Sequence, residues 1–194
     1  MNDFLTVLLS RRSIRAYADR PVPRDLLDEV LHAGQHAPSG GNSQFCRFTV
    51  ILSREVLDRL NRTARTSFAA MEVTPGMYPS KASAIRRSKV GPTDFFYGAP
   101  VLVLVSNRQS HPNAMADSAC AIENMMLAAT ALGLGSCWIN QIHWLTDDPA
   151  MRACLTELGI EEGETVCGSV ALGYAAQQPA VPLARTGNRI DWVE

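Results

Sequence analysis

The chain has almost no net charge. Its 194 residues carry 18 Lys and Arg against 19 Asp and Glu, a formal net charge of -1. That argues against a general electrostatic grip on nucleic acid, so any anion site must be local. The five cysteines form no CxxC pair, and they are widely spaced and mostly within apolar segments. They read as reduced, buried thiols of a cytoplasmic protein, and a zinc site is poorly supported. No secretory signal pattern opens the chain. The most apolar run, "GAPVLVLVS", is too short to span a bilayer. There is no GxGxxG, no Walker pattern and no GxSxG elbow, so common nucleotide fingerprints and Ser-His-Asp hydrolysis lack their motifs.

What is present is a large apolar fraction, 46%. It can supply the core of one domain over residues 1–194. Periodicity predicts helices near 3–9, 24–36, 54–66, 113–133 and 147–158, and strands near 47–53, 100–106, 135–140 and 165–174. The run at 100–106 reads as a strand buried on both faces. The 113–133 helix is apolar nearly all round, with Met125 and Met126 as core filling. Residues 67–97 hold several prolines and glycines. They are expected to be irregular with short helices, forming a variable lid over a site. The polar tail after Pro179 is expected to wrap a surface or a partner. The class is mixed α/β or α+β, without repeats or linkers.

Two stretches carry candidate chemistry. Residues 11–15 read "RRSIR". In an extended segment, Arg11, Ser13 and Arg15 share one side, and Arg12 and Ile14 the other. Two guanidiniums beside a hydroxyl suit a phosphate or a conjugated carbonyl system, because planar arginine donors bind oxygen pairs. A solvated basic turn or a basophilic kinase site is the plainer reading. Residues 38–44 read "PSGGNSQ". They form either a helix stop and turn, or a loop whose Ser39, Asn42 and Gln44 meet a ligand. His32 and His36 stand at i, i+4, but no nearby carboxylate or cysteine completes a metal set.

Taken together, four stretches resemble the nitroreductase family of flavin enzymes. They are "RRSIRAYADRPVPRDLLDEVLHAGQHAPSGGNSQFCRFTVI", "FFYGAPVLVLVS", "LAATALGLGSCWIN" and "GSVALGYAAQQP", in the family's order. The resemblance implies an α+β fold with a central, mostly antiparallel sheet flanked by helices. It implies an intertwined homodimer with two tight, non-covalent FMN sites at the interface. Arg11, Arg12, Ser13 and Arg15 match residues that hold the FMN phosphate, ribityl chain and pyrimidine edge. Pro38, Ser39, Asn42 and Gln44 match the loop that reaches the flavin from the other subunit. Trp138, Ile139 and Asn140 match the strand end against the isoalloxazine ring. Arg185 matches a basic residue near the phosphate, although the family often has a Lys-x-Arg pair where this chain has Leu183 and Arg185.

The implied activity is electron transfer from NADH or NADPH through flavin N5 to a nitroaromatic, quinone or related conjugated acceptor. No side chain is expected to act as an acid–base catalyst, because the cofactor carries the redox chemistry. The alternatives are another flavin reaction on the same fold, reductive dehalogenation or flavin breakdown, and a non-catalytic flavin-binding protein. Glu72, Tyr78 and Lys81 are the residue types a deiodinase uses to grip a zwitterionic amino acid, at a different spacing. No nucleic acid or membrane partner is expected.

Overall fold

In the computed structural model, which describes residues 3–177, 181 and 184–194, the continuous apolar run becomes the centre of a sheet. Strand β2 (Val101–Arg108) has seven consecutive buried residues. Val101, Val103 and Val105 face one core and Leu102 and Leu104 the other. Side chains alternate across a strand, so a strand buried on both faces needs no polar alternation. Strands β1 (Arg47–Ile51), β3 (Gly135–Ile139) and β4 (Glu164–Gly173) complete a four-stranded sheet of order β1-β2-β4-β3. Every pairing is antiparallel.

The helices cover both faces. On one lie α2 (Arg24–Gln35) and α5 (Ala114–Ala131), packed around Leu27, Val30, Ile122 and Met125. Gly34 lets α2 come close to α5, since a Cβ there would stand 2.8 Å from Met125 Cγ. Met125 and Met126 are buried core residues. On the other face lie α3 (Arg54–Ala69), α4 (Pro79–Val90) and α6 (Pro149–Glu157), around Leu60, Phe68, Ile85 and Leu155. The opening helix α1 (Asp3–Ser10) buries none of its residues, and Leu5 and Leu9 are largely exposed beside α5. Met115 and Cys120 on α5 are exposed too, so that helix is covered on only part of its surface, and Cys120 departs from the buried-thiol expectation. No helix among the described residues is long and apolar enough to cross a membrane.

Segment 67–97 corrects the expectation of irregular structure. Its centre is a regular helix of 12 residues, α4. Pro79 sits in the first turn, where a missing N–H costs nothing, so it starts the helix instead of breaking it. Beyond α4, Asp94 accepts from the N–H groups of Phe96 (2.8 Å) and Gly98 (2.6 Å), and Asn61 Oδ1 accepts from Phe95 N–H (3.0 Å). Phe95 and Phe96 are thereby held in the core.

Candidate functional site

The "RRSIR" segment lies along the outer edge of β3. Ile14 N–H donates to the Ser136 carbonyl (2.9 Å), and Ser13 bridges Ser136 in parallel. Farther along, Ala18 N–H donates to Tyr174 O (2.8 Å), Ala176 N–H to Ala16 O (3.0 Å), and Tyr17 O–H to Ala171 O (3.1 Å). Ile14 packs onto Gly135, where an added Cβ would stand 2.8 Å from Ile14 Cγ1.

This extended course separates the arginines. Burial pushes the Cys137 thiol up, and Arg15, a hydrogen bond with Ser13, and Arg11 act in the opposite direction. Arg11, Ser13 and Arg15 therefore lie on the side of the segment that faces Cys137. Arg12 turns back instead, and its Nη1 donates to Leu9 O (2.7 Å) and Arg11 O (2.5 Å), closing the end of α1. Arg11 faces Glu123 on α5 at 3.7 Å. Tyr17 also belongs to this corner. Its hydroxyl is pushed up by burial first, then by Cys137 and Tyr97, while Arg15 lowers it.

The "PSGGNSQ" loop lies elsewhere. Gly40–Asn42 form a short 3-10 turn. Three nearby residues adopt left-handed backbone, Gly41 (φ 62), Asn42 (φ 55) and Gln44 (φ 51). Asn tolerates this region well and glycine freely, whereas Gln does so rarely. Ser39 Oγ accepts from Gln44 N–H at 3.2 Å. Pro38, Ser39, Asn42 and Gln44 line a cavity of about 910 Å³ together with Gln35 and Phe48. None of Arg11, Ser13, Arg15, Trp138 or Asn140 borders it.

At the end of β3, Trp138 Nε1–H donates to Asn140 Oδ1 (2.6 Å), leaving the Asn140 amide nitrogen as a donor. Ile139, by contrast, is 1% exposed and its side chain belongs to the core, so only its main chain could meet a ring outside. Arg185 is exposed and makes no ion pair with another described residue; Leu183 and Pro179 lie outside the described residues. Two of the three deiodinase-type residues are engaged with other side chains. Glu72 pairs with Lys89 (2.7 Å), and Tyr78 stacks edge-on against Trp144 (5.9 Å between centroids). His36 Nδ1 meets the His32 carbonyl at 2.8 Å, and no cluster of three or more His, Cys, Asp or Glu suited to a metal occurs among the described residues.

Sequence reasoning missed Asp117. It is 5% exposed on α5, and it bonds to the "PSGGNSQ" loop from 77 residues away. The available signal was one acid in the first turn of an alanine- and methionine-rich helix, where an unpaired charge would be costly.

The two candidate segments thus lie at opposite edges of one sheet. The arginine segment edges β3 and the loop precedes β1, with three strand spacings, about 14 Å, between the edge strands. Comparison with known proteins gives this arrangement a family. A nitroreductase from Bacteroides fragilis NCTC 9343, solved with bound FMN, is 39% identical and superposes with a TM-score of 0.90, covering 100% of both chains. A mutant of the FMN and NADPH-dependent nitroreductase NfnB, derived from sphigopyxis sp. strain HMH, is 27% identical with a TM-score of 0.75, covering 97% of this chain and 98% of that one. The nitrobenzene nitroreductase of Ectopseudomonas oleovorans is 27% identical over 87% of this chain and 85% of its own. The model of the nitroreductase family matches residues 8–174, and the chain belongs to that family.

Proposed function

We propose that the protein is an FMN-dependent oxidoreductase that passes electrons from NADH or NADPH to a nitroaromatic, quinone or related conjugated acceptor. The observation that carries this reading is the extended course of the segment along β3, which puts Arg11, Ser13 and Arg15 on one side of it. The fit to FMN is good on chemical grounds. Two guanidiniums and a hydroxyl suit a phosphate and the oxygen-rich edge of a pyrimidine ring. Bound FMN supplies the redox chemistry. The chain's own residues bind and orient it. Arg11 and Arg15 offset negative charge, Ser13 donates or accepts at its hydroxyl, and Asn140 offers its amide nitrogen beside Trp138. Arg185 is proposed as a further phosphate contact. Arg12 serves the end of α1, and Ile139 contributes its main chain.

A homodimer is part of the proposal. Both half-sites can serve one cofactor if one chain supplies the arginines and the other supplies Pro38, Ser39, Asn42 and Gln44. The exposed apolar side chains of Leu5 and Leu9 on α1 and of Met115 on α5 support such an interface. Segment 67–97 is proposed to shape access for the acceptor, supported by the proximity of Tyr97 to Tyr17 at the Arg15 corner. Free thiols at all five cysteines suit the reducing cytoplasm, which we propose as the location.

The direct test is to add FMN, desalt, and mix the product anaerobically with NADH and with NADPH. A yellow protein that bleaches with at least one donor and recovers with a nitroaromatic or quinone is expected. A protein that stays colourless after FMN addition would overturn the reading. The dimer has its own test. An arginine-deficient variant and a loop variant, N42A/Q44A, are each expected to bind flavin poorly. Refolded together at equal amounts, they should restore about a quarter of the sites, because each mixed dimer regains one intact site. No recovery in verified mixed dimers would refute the shared site.

Gly135 gives a third test. Gly135→Val would drive a side chain into Ile14 and shift residues 11–15 off β3. Turnover is expected to fall about a hundredfold, the cost of a displacement near 1 Å in positioning groups. Steady-state kinetics of the flavin-loaded variant would measure it, and wild-type turnover would show that the Ile14 contact does not position the arginines.

A further inference from the structure

The "PSGGNSQ" loop has an unusual backbone, and one buried carboxylate accounts for how it is held. Asp117 Oδ1 accepts from Gly40 N–H (3.0 Å). Its Oδ2 accepts from Ser43 O–H (3.1 Å) and meets His111 Nε2 at 2.8 Å. Gly40 is pressed so closely against the Asn113 side chain that a Cβ would collide with it. The loop is therefore gripped at both ends of its 3-10 turn, beside the partly buried Ser39 and the exposed Asn42 and Gln44.

A carboxylate suits the contacts made at this point. Each of its oxygens receives a donor from the loop, and the second also faces an imidazole. The Gly40 N–H holds the Asp117 carboxyl below its ordinary range, reinforced by His111 and Ser43 and opposed by burial. An amide in its place could accept from Gly40 but would turn an N–H₂ toward Ser43 and His111. His111 is itself fixed, edge-on to the Phe45 ring at 5.3 Å, with Arg108 over that ring at 3.9 Å.

The three residues also invite a hydrolytic reading, which the geometry rejects. Ser43 Oγ lies 3.5 Å from His111 Nε2, the same nitrogen that meets Asp117. A triad needs the serine and the acid on opposite ring nitrogens, so that the ring can take a proton at one while donating at the other. Here Ser43 and Asp117 compete for one nitrogen. The cluster holds a shape and moves no proton.

We propose that Asp117, backed by His111, is a positioning residue that holds loop 39–44 in its left-handed conformation, so that the loop meets the flavin of the partner's arginine half-site already shaped. This rests on the FMN reading above. Binding an already ordered loop avoids the entropy of ordering it, so the carboxylate contributes to flavin affinity without touching the flavin.

The test uses FMN titration of the dimeric fraction of wild type, D117N, S43A, H111L and H111Q, with hydrogen exchange of the residue 39–44 amides in the flavin-free proteins. D117N and H111L are expected to weaken FMN binding at least about tenfold, the loss of a charge-assisted hydrogen bond, and to exchange faster in the loop. H111Q, which keeps an N–H donor, should restore both readouts, and S43A should lie between. A merely structural role predicts a lower melting temperature with unchanged FMN affinity per folded dimer. Affinity within about twofold of wild type in folded D117N and H111L, or H111Q as impaired as H111L, would overturn the proposal. If D117N does not fold, S43A and the two His111 variants decide the matter by the same criteria. A wild type that binds no FMN overturns the functional reading and this inference with it. A wild type that binds, beside variants that bind equally well, overturns the positioning role alone.

Discussion

Replacing Arg11 and Arg15 together with alanine (R11A/R15A) is expected to strip FMN from the protein. Each charge-assisted contact is worth about 1.5–3 kcal/mol, so the pair contributes about 3–6 kcal/mol if the two act independently. That corresponds to a rise in Kd of about two to four decades. Loss of Arg11 also leaves Glu123, 3.7 Å away, without its cation, and its negative charge would then oppose a phosphate. Arg12→Ala is the control. Its guanidinium is occupied by the Leu9 and Arg11 carbonyls, so this variant should loosen the end of α1 while changing FMN affinity far less. Fluorescence titration of flavin-free protein would read all three. Flavin retention by R11A/R15A equal to wild type would remove the cradle from the proposal.

Phe68→Ala is expected to cause the largest loss of stability. Phe68 is fully buried, and its ring meets Phe95 at 5.4 Å and Trp144 at 6.5 Å between centroids. It therefore joins α3 to the segment after α4 and to the short turn His143–Leu145. Truncating a buried phenylalanine costs about 3–5 kcal/mol, part transfer and part cavity. In a chain of this size that corresponds to a fall in melting temperature of about 6–20 °C. Calorimetry of the flavin-free protein isolates the effect from cofactor linkage. Phe68→Leu should cost less, because it leaves a smaller void. A shift of only a degree or two for Phe68→Ala would show that these rings do not tie the elements together.

Both variants probe features with different legibility. The alternation of Arg11, Ser13 and Arg15 could be read from five residues, because an extended chain has a period of two. The strand at β2 was equally legible, since an apolar run bounded by Pro100 and polar residues has few other uses. Helix α4 was not. Its prolines and glycines looked like breaks, yet Pro79 occupies a helix start and Gly91 its end. The position of a proline within an element, which composition does not express, decides its effect. The burial of the Ile139 side chain was not legible for another reason. Trp138 and Asn140 point to one side of β3 and Ile139 to the other, and which side is core depends on the helices that pack there.

Sequence by itself determined most of the elements, the family resemblance and the residue types of the two candidate segments, since each is written in local periodicity or in short motifs. Tertiary structure alone decided where those parts stand. The order β1-β2-β4-β3 sends the arginine segment and the "PSGGNSQ" loop to opposite edges, and a bond across 77 residues brings Asp117 to Gly40. The physical reason is that antiparallel pairing and helix packing are settled by contacts distant in the chain. Local spacing can name candidate residues, but only the packed sheet determines that the two candidate segments of one chain stand apart.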